Sequence, residues 1–344
     1  MARPSVIDLK PYASAKEEFK NFDQELVYLD ANENPYENGL NRYPDPNQTA
    51  LKQRISSIKQ VPVDQILLGN GSDEILDMIF RVFFEPGKDN IIISVPTFGM
   101  FEVLSQINDI QCKKVMLTND FQLDVKSLTD KVDEQTKAVF ICSPNNPTGN
   151  VMKQEDILKL LELELLVIVD EAYIDFAEAE SWTKRLSDFN NLIVCQTFSK
   201  AYGLAGIRLG ACYADQQIID LLKKIKMPYN VNVLTQKKAL EYLQNEETRK
   251  IEVNKILANR HLLERELSTI RFIKKIYPSD SNFLLVKVDD ANKRYRELIG
   301  MGLIIRNRTR EPLCDQCLRI TVGTSKENKK LMQALRTLDK NNKA

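Results

Sequence analysis

"LIVCQTFSKAYGLAGIRLGACYA", residues 192–214, reads as a strand, a loop and a second strand. Leu192–Gln196 and Leu209–Ala214 are apolar on successive residues, the pattern of strands covered on both faces of a sheet. Between them the loop carries Ser199, Lys200 and Arg208, with Gly203, Gly206 and Gly210 thinning the side chains between and after them. A lysine at the end of a buried strand can become a nucleophile, because burial and nearby positive charge lower its pKa and leave a neutral amine. Arg208, Ser199 and Thr197 together can hold a phosphate, the guanidinium through charge-assisted bonds and the hydroxyls as further donors.

Similar apolar runs occur at Gln65–Leu68, Asn90–Ser94, Ala138–Cys142 and Leu165–Asp170. Helix-periodic stretches such as "DEILDMIFRVFF" (73–84) and "QEDILKLLELE" (154–164) lie between several of them. This alternation predicts an α/β fold with a mostly parallel central sheet flanked by helices. From about Glu241 the texture changes. A long helical stretch is followed by strand-like runs at 281–288, 302–307 and 317–323 and by a charged terminal helix. The expected division is an N-terminal arm or part of the small domain (1–30), a large domain (31–240) and a smaller α+β domain (241–344).

The composition removes whole classes of function. Lys+Arg and Asp+Glu both number 48 in 344 residues, so the formal net charge is zero and no basic stripe suggests nucleic acid. No apolar stretch approaches the ~18–20 residues of a membrane span, and the N-terminus lacks a signal-peptide core. A cytoplasmic location is the expectation. Six cysteines include a C-x-x-C pair, Cys314 and Cys317. A structural zinc needs about four ligands, and the single histidine, His261, is far away in a helical pattern. No metal is expected, and the pair reads as a loop entering a strand. One histidine also argues against a Ser-His-Asp hydrolase.

Three further segments bear chemistry. In "LLGNGSDEILDMIF" (67–80) a strand ends in a Gly-rich turn and a helix starts near Ser72, where free backbone N–H groups bind anions. Asp73 and Glu74 read as ordinary first-turn acids, with carboxylates expected to point away from a bound phosphate. In "LLVIVDEAYIDF" (165–176) Asp170 ends a run of apolar residues, and a carboxylate in so dry a place wants a cationic partner such as a protonated ring nitrogen. Tyr173 follows three residues later. "SPNNPTG" (143–149) turns through two prolines and a glycine. An amine nucleophile, a phosphate cradle and a carboxylate for a ring nitrogen are the parts that pyridoxal 5'-phosphate requires.

In the order and spacing of its motifs the chain resembles the fold type I pyridoxal-phosphate enzymes of the aspartate-aminotransferase kind and, within them, the histidinol-phosphate aminotransferases. The motifs are "DANENPY" (30–36), "NRYPDP" (41–46), "GNGSDE" (69–74), "PTFGM" (96–100), "CSPNNPTG" (142–149), "VDEAYIDF" (169–176), "TFSKAYGLAGIRLG" (197–210) and "LRITVGT" (318–324). The resemblance implies that Lys200 bonds covalently to the cofactor aldehyde and later carries the proton. It pairs Asp170 with the pyridinium nitrogen, and it sets Tyr173 and Asn146 on the phenolic oxygen. Phe98 would stack on the ring, where many relatives carry Tyr. Ser72, Asp73 (through backbone amides), Ser199 and Arg208 would hold the phosphate, with Tyr43 reaching it from the partner of a homodimer. Arg319 and Arg306 would bind the substrate anion, and Tyr12 and Asn282 would line the substrate pocket. The implied reaction is transamination between L-histidinol phosphate and 2-oxoglutarate in histidine biosynthesis. Threonine-phosphate decarboxylase and aromatic-amino-acid aminotransferase are the alternatives on the same scaffold.

Overall fold

The computed structural model describes residues 2–11 and 26–341. Seven strands form the larger sheet: β1 (Ile66–Asn70), β2 (Asn90–Val95), β3 (Gln111–Met116), β4 (Thr136–Cys142), β5 (Leu166–Asp170), β6 (Leu192–Thr197) and β7 (Leu209–Ala214). Their spatial order is β1-β7-β6-β5-β4-β2-β3. All neighbours are parallel except β7, which runs antiparallel to both β6 and β1. Six of these strands fall where the apolar runs place them. The one missed is β3, "QCKKVM", an edge strand on which only Val115 is buried. With one neighbour and a largely wet surface it needs no apolar run.

The sheet is buried on both faces. Along β5, Val167 and Val169 enter one apolar layer while Leu166 and Ile168 enter the other, as the two-residue period of a strand requires. Each such side chain contributes roughly 1.5–3 kcal/mol by leaving water. Asp170, the next residue, sits in this dry register without that gain. The helix Gly71–Phe83 follows β1 directly and buries Ile75, Leu76, Ile79 and Phe83 against the sheet. Residues 3–9 lie on the same layer: Arg3 N–H donates to the Val82 carbonyl, and Lys224 Nζ donates to the Ile7 carbonyl.

A second, four-stranded antiparallel sheet has the order β10-β11-β9-β8, from β8 (Ile273–Ile276), β9 (Phe283–Val288), β10 (Arg306–Asn307) and β11 (Cys317–Thr321). β8, "IKKI", was not legible, since two lysines in four residues leave no apolar run. β10 is shorter than its expected span. The 22-residue helix Glu246–Leu267 joins the sheets. Val253 packs with Tyr173 and Ala201, whereas Leu263 and Leu267 enter the core of the small sheet. Cys314 and Cys317 are both buried against the larger core. No group of metal-ligating side chains occurs among the described residues. Among them also, no helix is long and apolar enough to cross a membrane.

Candidate active site

β4, β5 and β6 end side by side. Cys142 pairs in register with Asp170, and Asp170 with Cys195. In an α/β sheet the carboxyl edge is where ligands bind, because loops and helix starts splay apart there. A cavity of about 130 Å³ opens at this edge. Its floor is Asp170, 2% exposed, whose Oδ1 accepts from the Ala172 N–H at 3.0 Å. Burial pushes this carboxyl up to about 7, and the neighbouring Asp73 adds to the rise. The Ala172 N–H and the Lys200 charge pull it down.

The next residue is a control built into the chain. Glu171 is as deeply buried, but its carboxylate accepts from Ser181 Oγ, from Trp182 N–H at 2.7 Å and from Gln196 Nε2 at 2.8 Å. Burial raises Glu171 also, and these three donors oppose the rise. One acid is saturated by protein; its neighbour is held by a single donor and faces a cavity.

Lys200 lies on the cavity wall, its Nζ 5.7 Å from the centre of the Tyr173 ring. It is exposed and lines the cavity. Burial lowers its pKa, and Arg319 lowers it further, against the pull of Asp170 and Asp73. The loop that bears it is anchored two residues on. The Tyr202 ring lies between Lys59 Nζ, 5.5 Å from its centre, and Arg249, 4.9 Å from it. Both cations bond to Asp175 Oδ1, at 3.3 and 3.2 Å. Asp175 itself follows Tyr173 by two residues, so one half-buried charge cluster ties the Tyr173 turn to the Lys200 loop.

The anion cradle forms where the start of the helix Gly71–Phe83 meets the end of the loop. Gly71 N–H donates to the Arg208 carbonyl at 3.0 Å. A Cβ on Gly71 would lie 2.8 Å from the Arg208 guanidinium, and one on Gly210 would lie 2.4 Å from the Ser72 nitrogen. Only glycine lets these backbones approach. Arg208 itself sits at φ 56, ψ 61, the left-handed region. That costs a non-glycine residue roughly 1–2 kcal/mol, a strain that functional sites tolerate. Glu74 caps the turn by accepting from Asn70 N–H and from Asn230 Nδ2. Its carboxylate is thereby occupied, as expected of a first-turn acid. Asp73 departs from expectation: its Oδ2 turns toward the cradle and meets Arg208 Nη2 at 3.3 Å. Two half-exposed charges satisfy each other there.

The small sheet supplies the opposite wall. Arg319 on β11 donates through Nη1 to the Asn146 side-chain carbonyl, which leaves the Asn146 NH₂ to serve as donor elsewhere. The guanidinium lies 5.1 Å from the centre of the Phe283 ring, which meets the Tyr173 ring edge-on at 5.1 Å. Burial raises the Tyr173 phenol, while the nearby Arg319 and Arg308 draw it down.

Ser72, Asp73, Phe98 and Asn146 thus join Asp170, Tyr173, Ser199, Lys200 and Arg208 around one cavity. Arg319 reaches it through Asn146. Arg306 is exposed on β10, directly opposite Arg319 in register. Asn282 lies at the start of β9, where its carbonyl accepts from Val322 N–H. Tyr43 is outside the cavity, half exposed and stacked on Tyr229 at 4.5 Å. Tyr12 lies outside the described residues. Glu171, Asp175 and Arg308 were missed by sequence reading. Glu171 could have been suspected, being a second acid in the same buried strand end.

Residues 20–335 match the family described as Aminotransferase class I and II. A histidinol-phosphate aminotransferase from Christiangramia forsetii is 54% identical over 340 residues, covering 98% of this chain and 97% of that protein. Among solved structures, the histidinol-phosphate aminotransferase from Clostridium acetobutylicum superposes with a TM-score of 0.81 at 25% identity, over 88% of this chain and 92% of that one. The enzyme of the same name from Sinorhizobium meliloti, solved in complex with pyridoxal-5'-phosphate, gives 0.78 at 25% identity over 86% and 84%.

Proposed function

The chain belongs to the aminotransferase class I and II family, and on that premise we propose that it transfers the amino group of L-histidinol phosphate to 2-oxoglutarate, giving imidazole acetol phosphate and L-glutamate. The cofactor is pyridoxal 5'-phosphate. The cavity fits it: a buried, under-bonded carboxyl forms the floor, an amine of lowered pKa the side, and a glycine-gated cradle with Arg208 the anion end. When bound, this group supplies an electron sink for the bonds at the substrate's amino carbon.

The chain's own residues do the rest. Asp170 would hold a protonated ring nitrogen of the bound cofactor and would be stabilised as a carboxylate by it, since an adjacent cation favours the charged form. Lys200, whose pKa burial and Arg319 lower, would hold the cofactor and would afterwards take and return the proton at the substrate carbon. Backbone N–H groups of Ser72 and Asp73, with Ser199 and Arg208, would hold the phosphate, for which Arg208 would have to leave its Asp73 partner. Tyr173 and Asn146 donate to the phenolic oxygen. Phe98 stacks on the ring. Arg319 and Arg306 bind the anionic end of either substrate, with Tyr12 and Asn282 beside them.

One observation carries the chemistry: Asp170 and Lys200 share a cavity while Glu171, one residue from Asp170, is saturated elsewhere. The relatives supply the substrate. Histidinol phosphate, threonine phosphate, phenylalanine and glutamate, each mixed with the loaded enzyme while the cofactor spectrum is followed, test it. The largest rate should belong to histidinol phosphate. A larger rate with phenylalanine, or carbon dioxide release from threonine phosphate, overturns the assignment.

We also propose a cytoplasmic homodimer, and a large domain ending near residue 240. Val27, Leu29, Tyr36, Leu40, Met227 and Leu234 are exposed apolar side chains near Tyr43 in sequence or beside its partner Tyr229, and a two-fold interface would cover them. Mixing inactive Tyr43→Ala and Lys200→Ala subunits should restore part of the activity if sites are shared. A fully active monomer at micromolar concentration overturns it.

A further inference from the structure

Arg308 is the unabsorbed charge of the small sheet. It follows β10 by one residue, and its N–H donates to the Cys317 carbonyl at 2.9 Å, which continues the ladder that pairs Arg306 with Arg319. Alternation along that ladder puts Arg306, Arg308 and Arg319 on one face of the sheet. Leu285, opposite Arg319 on β9, and Cys317 on the same face are packed into the core of the large domain. The shared face is therefore the one turned to the cavity side.

The three arginines are not equivalent there. Arg306 is exposed, whereas Arg308 is half-buried and its Nε is buried without a hydrogen-bond partner among the described residues. Its Nη1 meets only Glu311, at 3.3 Å. Burial lowers Arg319 first, then repulsion from Arg308, and the effect of Arg306 is smaller. Arg308 also acts on the Tyr173 phenol. Three guanidiniums with one nearby carboxylate repel one another. An orphan buried N–H adds a desolvation penalty. Both costs are relieved by an anion carrying two charges, and less by one carrying one.

Resting on the transamination reading above, we propose that Arg308 is a specificity-determining residue that, with Arg319, selects a phosphate monoester dianion over a carboxylate at the substrate's anionic end. Glu311 holds Arg308 when the phosphate is absent.

The test uses the cofactor-loaded enzyme with Arg308→Gln, Arg308→Lys and Glu311→Gln. Losing one charge-assisted hydrogen bond corresponds to roughly a 10- to 150-fold change. Arg308→Gln should lose that much kcat/KM for histidinol phosphate, mainly through KM. It should lose less than about 3-fold for unphosphorylated histidinol, which makes no such bond. Arg308→Lys should fall between, keeping charge without the planar fork. Inorganic phosphate, as a competitive inhibitor of the glutamate half-reaction, should weaken in parallel with Arg308→Gln and tighten with Glu311→Gln. Equal losses for the two amino alcohols, or unchanged phosphate inhibition, overturn the proposal even if Arg308→Gln is poorly folded, because Glu311→Gln reads the same group. If wild type ignores histidinol phosphate, the reading of the reaction fails. The phosphate titration still judges Arg308 on its own.

Discussion

The two walls of the cavity are built on different plans. On the large-sheet side, every charged group comes from a strand end or the turn next to it. Asp170 closes β5, Lys200 leaves β6 and Arg208 enters β7, so local sequence places each one. On the small-sheet side, Arg306 and Arg319 meet only because β10 and β11 pair in one register, and a slip of one residue would turn one of them away. On the first wall Asp170 is dry, Lys200 and Arg208 are exposed, and Asp170 and Lys200 are pulled from their ordinary pKa values. On the second Arg319 is half-buried and Arg306 exposed, and the charges mostly repel. The difference teaches where tolerance lies. A wall that performs bond chemistry is fixed in atoms, whereas a wall that recognises an anion is fixed in charge.

Four substitutions probe that contrast, from the largest effect to the smallest. Lys200→Ala should keep the cofactor through the cradle yet lower turnover by about a thousandfold or more, as loss of a proton-transferring group does. Single-turnover rates measure it, and residual activity above about a thousandth of wild type would break the distinction. Asp170→Asn should follow, with a turnover loss of roughly 10²-fold or more, since the ring nitrogen loses its counter-ion. The same variant has a signature in the cofactor-free protein. Folded Asp170 has a pKa of about 7 against an ordinary 3.8, so between these values the native state binds more protons than the unfolded state. Its contribution to stability is therefore intact below about pH 4 and is lost as pH rises through about 7, amounting to about 4 kcal/mol. Denaturation midpoints across pH 4–8 should be flatter in Asp170→Asn.

Glu171→Gln is the counterpart. It disturbs a saturated acid, so it should cost about 1–3 kcal/mol of stability through mismatched donors while kcat stays within about threefold of wild type by its place outside the cavity. A large kcat loss in urea-stable protein would show that the floor extends beyond Asp170. Arg306→Ala should be the mildest. An exposed cation contributes up to about 1 kcal/mol, so kcat/KM for histidinol phosphate should fall by no more than about fivefold.

The same contrast explains what could be read from the sequence. Asp170, Lys200 and Arg208 were legible because a charged residue stands at the end of an apolar run, and burial makes that an anomaly in one dimension. The larger sheet was legible for the same reason, except for β3, whose wet edge hides it. Asp73 was misjudged because the helix dipole argument ignores Arg208, which lies 135 residues away. Arg308 and Asp175 were invisible, as their meaning comes only from partners on other segments. β8 and the short β10 were illegible or overdrawn because their residues carry no alternating pattern of their own.

The pairing of Thr197 with Gly210 closes the β6–β7 hairpin, with Phe198 N–H bonded to the Leu209 carbonyl. Lys200 and Arg208 therefore ride on one closed loop, and in the proposed function each would grip one end of the same small molecule. The hairpin works as a pair of calipers whose opening is set by the seven residues between its jaws. A one-residue insertion between Gly203 and Gly206 would leave the strands and the floor in place, although it would shift the buried Leu204, and it would misreport the length of the cofactor. Loop length here is under the same constraint as a catalytic side chain, although no atom of that stretch takes part in the reaction.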